Sequence, residues 1–207
     1  MKKEQDYGRD LAEIRSMMER SSRFMSLSGL AGIMAGIYAL AGAFIAYKIF
    51  YFSPDDILAE RSPGRLPTGM AGVIVLALVV LILAIGTAIF LSARKANKRG
   101  EKAWNPSSRR LLTHMAVPLV AGGTFILILI LKGLLGLIMP ASLIFYGLAL
   151  YNASKFTYED VKFLGIIQII LGLLSSLLVE YGLLLWAFGF GAVHIAYGIY
   201  MHFRYER

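Results

Sequence analysis

The 207-residue chain has no cysteine, which excludes disulfides, thiolate metal sites and cysteine nucleophiles and leaves the redox compartment open. Charge is scarce as well: Asp, Glu, Lys and Arg make up 16% of residues against 57% apolar, far from the usual soluble balance. Charged residues avoid six stretches altogether, 24–47, 66–93, 111–131, 133–154, 163–179 and 181–203. None of these holds the mid-depth carboxylate that proton- or sodium-coupled carriers commonly use. There is no HExxH, Walker-type loop or Gly-x-Ser-x-Gly elbow, so an enzyme is not expected. No residue cluster asks for a metal or another cofactor.

What is present is oil in membrane-sized lengths. A hydrocarbon core of ~30 Å takes ~20 apolar residues in helix. Five of the runs meet that length, and 163–179 meets it once Val161 and the stem of Lys162 are added. A water-soluble bundle of such helices would have no face to show to solvent. The sequence therefore predicts an all-α polytopic membrane protein with helices near 26–51, 69–93, 108–134, 137–154, 160–181 and 183–203. Tight turns around "GLIMP" and "EYG" arrange these as three αα-hairpins in one domain over 26–204.

The positive net charge of +8 is unevenly placed. Of the Lys and Arg residues, only Lys48, Arg61, Arg65 and Lys132 fall between helices 1 and 2, 3 and 4 or 5 and 6. The rest precede helix 1, join helices 2 and 3 or 4 and 5, or follow helix 6. The positive-inside rule then puts both termini in the cytoplasm, at the cytoplasmic (inner) membrane of a bacterium. Anionic inner-leaflet lipids are the expected partner of this basic belt, through Arg15, Arg20, Arg23, Arg94, Lys95, Lys98 and Arg99. Nucleic acid is not expected, because no binding fold accompanies the charge.

Residues 1–23 carry no apolar core of a secretory signal. Asp10 and Glu13 form a capping-box pattern, and Leu11, Ile14, Met18 and Met25 then make one apolar stripe. The stretch 1–25 reads as a cytoplasmic amphipathic basic helix, lying on the inner membrane surface or paired with a copy of itself. On helix 1, Gly29, Gly32, Gly36, Ala39 and Ala43 present a small-residue packing face; whether it meets helix 2 or another copy is open. The outer link "SPDDILAERSPGRLPT" starts as a short capped helix and is stopped by Pro63, Gly64 and Pro67. Asn105 with Pro106 reads as the start of helix 3. "YGLALY" at 146–151 and "YGIYMH" at 197–202 stand 51 residues apart, a faint repeat of the last two hairpins. The run "LGIIQIILGLLSSLLVEYGLLLWAFGFGAVHIAYGIYMHFR" resembles the hairpins of six-helix acid-resistance membrane proteins of the HdeD type. The likeness implies three hairpins with short turns and brings no function with it.

Polar residues inside the apolar runs raise the functional question, because burying them in lipid is costly. Counted at helical rise from the inner ends, His114 lies ~6 Å deep, Gln168 ~9 Å and His194 ~13 Å. With Asn152 and Tyr197 they are candidates for a polar pocket in the inner half of helices 3, 5 and 6. His194 has Ala187, Gly191 and Gly198 on its side, which turns it towards a neighbouring helix. Pro118 leaves the His114 carbonyl without its donor, so a bend is expected there. Lys132 and Glu180 are candidates for an outer ion pair. The expected role is a non-catalytic sensor or accessory subunit. A small-solute permease or channel using the polar pocket is the alternative, and a haem- or small-ligand-binding protein is a second.

Overall fold

The computed structural model describes residues 24–50, 52, 69–98, 100 and 102–206. Among the described residues there are helices and no strands. We number them α1 (Gly29–Lys48), α2 (Met70–Lys98), α3 (Pro106–Lys132), α4 (Ile138–Ala153), α5 (Val161–Leu177) and α6 (Val179–Tyr205). A single 3-10 turn, Leu135–Leu137, precedes α4. Inside α6, a 3-10 turn (Val179–Tyr181) and an α-helical stretch (Gly182–Ala187) lead into a π-helical turn (Phe188–Val193). His194–Tyr205 is α-helical again. Among the described residues five helical spans are long and apolar enough to cross a membrane, α4 being counted with its 3-10 turn as Leu135–Ala153, and α5 is a shorter apolar helix.

Several boundaries differ from the sequence reading for a physical reason. Charge ends a hydrocarbon run but does not end a helix, so α2 continues past Ala93 to Lys98. Helix α3 starts at Pro106, where the Asn105 side chain accepts from the Ser108 N–H at 2.8 Å and Ser108 Oγ accepts from the Asn105 N–H at 2.9 Å. Gly133, at φ 74, stops it in the left-handed conformation that glycine adopts at least cost. The expected basic helix 1–25 and the outer link 53–68 lie outside the described residues, apart from Phe24 and Met25. Those two are not helical.

The packing inverts the soluble rule. The buried residues of α1 are all glycine or alanine, Gly29, Ala31, Gly36, Ala39, Gly42, Ala43 and Ala46, while Ile37, Phe44 and Tyr47 point outwards. Lipid is as apolar as leucine, so association is driven by close backbone approach over small residues. Side by side, α2 packs on α1, α1 on α6, α6 on α5, α5 on α4 and α4 on α3. Helix α2 is the least covered, with Ile82 68% and Ile89 65% exposed.

Helix ends gather in two sets. Ala46, Phe52, Met70 and Leu135 form one cluster with Ile138 and Val179 packed against it. At the other end Phe24, Leu111 and Ala153 pack with Phe156, and Lys95 reaches Leu27 and Glu206. Successive helices therefore run in alternating directions between the two ends.

Two helix crossings share one stereochemistry. In the first, a Cβ on Gly147 would lie 2.6 Å from the Gly165 carbonyl oxygen, and one on Gly165 would lie 2.7 Å from that of Gly147. In the second, a Cβ on Gly198 would lie 2.6 Å from the Gly29 oxygen and one on Gly29 2.6 Å from that of Gly198. Ile169 Cγ1 and Ile33 Cγ1 occupy the same place beside Gly147 and Gly198, as Ile144 Cγ1 and Ile195 Cγ1 do beside Gly172 and Gly36. The α4 residues of the first crossing map onto the α6 residues of the second at the 51-residue offset. Helix α1 takes the place of α5.

Candidate functional site

The interior polar cluster is built on the π-helical turn. That turn widens α6 just before His194, and such turns often mark functional positions. His194 is 4% exposed and Gln168 is fully buried. His194 Nδ1 lies 2.9 Å from the Gly189 carbonyl oxygen, five residues back on its own helix. Gln168 Nε2 on α5 donates to the same oxygen at 2.8 Å. His194 Nε2 lies 3.0 Å from the Tyr146 hydroxyl on α4. With Nδ1–H donating to Gly189 and Nε2 accepting from Tyr146, a neutral imidazole satisfies both of its ring nitrogens. The 3.3 Å approach of Gln168 Nε2 to His194 Nδ1 then brings two donors together at a shared acceptor. Phe190 stacks on His194 with ring centroids 5.8 Å apart. A Cβ on Gly189 would press on the side-chain tips of Gln168 and Leu143, 2.8 Å from Oε1 and from Cδ2.

Among the described residues, Gln168 Oε1, Ser175 Oγ and Tyr197 Oη are buried polar atoms with no hydrogen-bond partner. Tyr197 sits with Leu150, Leu164 and Met201. Asn152 is half-buried near the C-terminal end of α4. Tyr146 was missed by sequence reasoning, although it opens one of the two repeated tyrosine–glycine segments.

His114 does not join this cluster. It is exposed on α3, its Nδ1 lies 2.9 Å from the Arg110 carbonyl oxygen, and its ring rests 4.3 Å from that of Phe156. Similar depth did not bring it inwards because α3 packs on α4, away from α6. Helix α3 continues through Pro118. Lys132 and Glu180 are both exposed, and no ion pair joins them among the described residues. They end different flanks, Lys132 on α3 and Glu180 at the turn into α6.

The end of the bundle that holds Phe24 and Glu206 carries a second polar constellation. Lys95 does not face lipid: its Nζ donates to Leu27 O at 2.6 Å and pairs with Glu206 Oε1 at 2.9 Å. Glu206 also takes the Gly29 N–H at 2.8 Å, capping α1, and contacts His202 Nδ1 at 2.7 Å. Burial alone would raise the Glu206 pKa; hydrogen bonds from His202, Lys95 and Gly29 and the Lys95 charge outweigh it and hold the carboxyl at about 2. Residues 24–28 lie along the α4–α5 link, with the Phe24 N–H donating to Phe156 O and Thr157 Oγ1 to Phe24 O, both at 2.7 Å. Tyr205 donates to Asp160 at 2.6 Å. A clasp thus joins α1, α2, the α4–α5 link and the end of α6. Arg94 and Lys98 remain exposed, beside a shallow depression that includes Phe90 and Asn97. Arg15, Arg20, Arg23 and Arg99 lie outside the described residues.

The apolar helices are those of an integral membrane protein. Neither a protein-family model, nor a curated protein, nor a solved structure matches the chain.

Proposed function

We propose that this is a six-span protein of a bacterial cytoplasmic membrane with both termini inside. It acts without catalysis of its own, as a sensor or accessory subunit. The observation that carries this reading is that both ring nitrogens of His194 are engaged within the chain. A transport site needs polar atoms turned towards a path, whereas these hold α4, α5 and α6 together. The exposed basic residues Arg94 and Lys98, with the basic stretch 1–25, form the surface for anionic lipid or a membrane partner.

The small-solute alternative is favoured by the orphaned Gln168 Oε1 and Tyr197 Oη, since each could take a ligand's hydrogen bond. Swelling of proteoliposomes in glycerol, urea and small amino acids separates the two. An accessory role predicts swelling no faster than in protein-free vesicles. A permease predicts solute-dependent swelling that His194→Ala abolishes in folded protein. The haem alternative requires His114 and His194 to act together, whereas His114 is exposed on α3 and His194 is buried against α4 and α5. A Soret band in the purified protein would revive it.

A further inference from the structure

We propose that the depression on α2 bounded by Arg94, Asn97 and Lys98 binds one anionic phospholipid, its phosphate held by the two cations and an acyl chain leaving past Phe90. The inference deepens the basic-surface reading above and rests on it. That reading spreads lipid contact over many cations, whereas this site needs only these two.

The end of α2 carries three cations, and the fold divides them. Lys95 turns inwards beside the fully buried Ala96 and is neutralised by Glu206. Arg94 and Lys98 are exposed, and no carboxylate among the described residues pairs with either. Glu206 is already shared by Lys95 and His202, and Asp160 is engaged by Arg204. Two positive charges on one helix end are thus left for an anion from outside the chain.

Helical spacing makes their surroundings one patch. Phe90, Arg94 and Lys98 follow each other at i, i+4, and Ala93 and Asn97 form the row beside them. Ala93 has the smallest side chain of the five, which together line a depression of about 590 Å³. The Arg94 fork matches two phosphate oxygens, and Lys98 adds a point charge. The Asn97 amide can serve a headgroup hydroxyl as donor and acceptor. No carboxylate lines the depression, so the ammonium of a zwitterionic headgroup would meet only charge of its own sign.

The patch also points to a lipid in preference to a free anion. Phe90 stands ~6 Å from Arg94 along the axis, on the side of the apolar run. It is 64% exposed and its neighbour Ile89 65%. Hydrocarbon therefore begins one turn from the cations, where an acyl chain attached to the bound phosphate would lie. Inorganic phosphate has no use for that surface.

The test titrates phosphatidylglycerol or phosphatidylethanolamine of equal chain length into the full chain in mild detergent, with bound lipid counted by native mass spectrometry. The proposal expects a first phosphatidylglycerol to bind ahead of later ones and ahead of phosphatidylethanolamine. Arg94→Gln with Lys98→Gln should weaken that first binding roughly tenfold or more. Ala93→Leu, which fills the depression without changing charge, should weaken it as well. Arg109→Gln with Arg110→Gln removes equal charge from the exposed start of α3 and should leave it unchanged. Melting temperatures in lipid-free detergent report folding, and the exposed Arg94 and Lys98 decide the matter alone if Ala93→Leu does not fold. Equal losses in the two charge-removed variants, or no loss in either, overturn the site and leave the basic-surface reading standing. Displacement of the first lipid by inorganic phosphate overturns the choice of a lipid. Absence of any preference for phosphatidylglycerol overturns the site and the basic-surface reading together.

Discussion

Replacing His194 with Ala removes two interactions at once and leaves their partners buried. The Tyr146 hydroxyl, 3.0 Å from Nε2, keeps a proton with nowhere to donate it; Gly189 O keeps the bond from Gln168 Nε2. Side-chain hydrogen bonds inside membranes contribute ~0.6 kcal/mol on average and up to ~1.7. An orphaned buried hydroxyl costs ~1–3 kcal/mol. The expected destabilisation of His194→Ala is thus ~2–4 kcal/mol, and of Tyr146→Phe ~1 kcal/mol. In a double-mutant cycle measured by reversible unfolding in mixed micelles, the coupling between these sites should be ~0.6–1.7 kcal/mol. A coupling indistinguishable from zero, with His194→Ala costing under ~0.5 kcal/mol, would refute the assignment of His194 to the α4–α6 seam.

Three other outcomes are expected. Gly165→Ala or Gly198→Ala forces a methyl into backbone atoms under 3 Å away and should cost ~1–3 kcal/mol by overpacking, measured by the same unfolding assay. Glu206→Gln should destabilise the protein at neutral pH, because it removes the carboxylate shared by Lys95, His202 and Gly29. A carboxyl held at about 2 against 4.5 stabilises the fold above its unfolded value and loses that contribution as pH falls from 4.5 towards 2. The wild type and Glu206→Gln should therefore converge in stability over that interval; a constant difference contradicts the clasp. His114→Ala should change stability by no more than ~0.5 kcal/mol, as expected for an exposed side chain bonded to its own helix.

Particular residues show what the sequence could and could not disclose. The apolar runs located the helices because their lengths answer to hydrocarbon thickness. Glycine and alanine around His194 pointed to a seam, because only small residues let another backbone approach. Depth counted along a helix says nothing of direction around it, and for that reason His114 was grouped with Gln168 and His194 while its side chain lies on another face. Counting charges places Lys95 on a side of the membrane but cannot pair it with Glu206, 111 residues away. The π-helical turn left no signal in "FGFGAV", and Tyr146 had no mark beyond the repeated tyrosine–glycine pair. The two equal crossings were visible only as that pair; their common stereochemistry needed backbone positions.

If six helices alternate across the membrane from a cytoplasmic start, as proposed, the shortest crossing is α5, Val161–Leu177, once α4 is counted with its 3-10 turn from Leu135. Glu159 and Glu180 are exposed at its two ends. Single Glu159→Cys and Glu180→Cys variants, treated in intact cells with an impermeant maleimide, read the crossing without background thiols. Glu180→Cys alone should be labelled, with Glu159→Cys reacting only after permeabilisation. Labelling of both from the same side would contradict it.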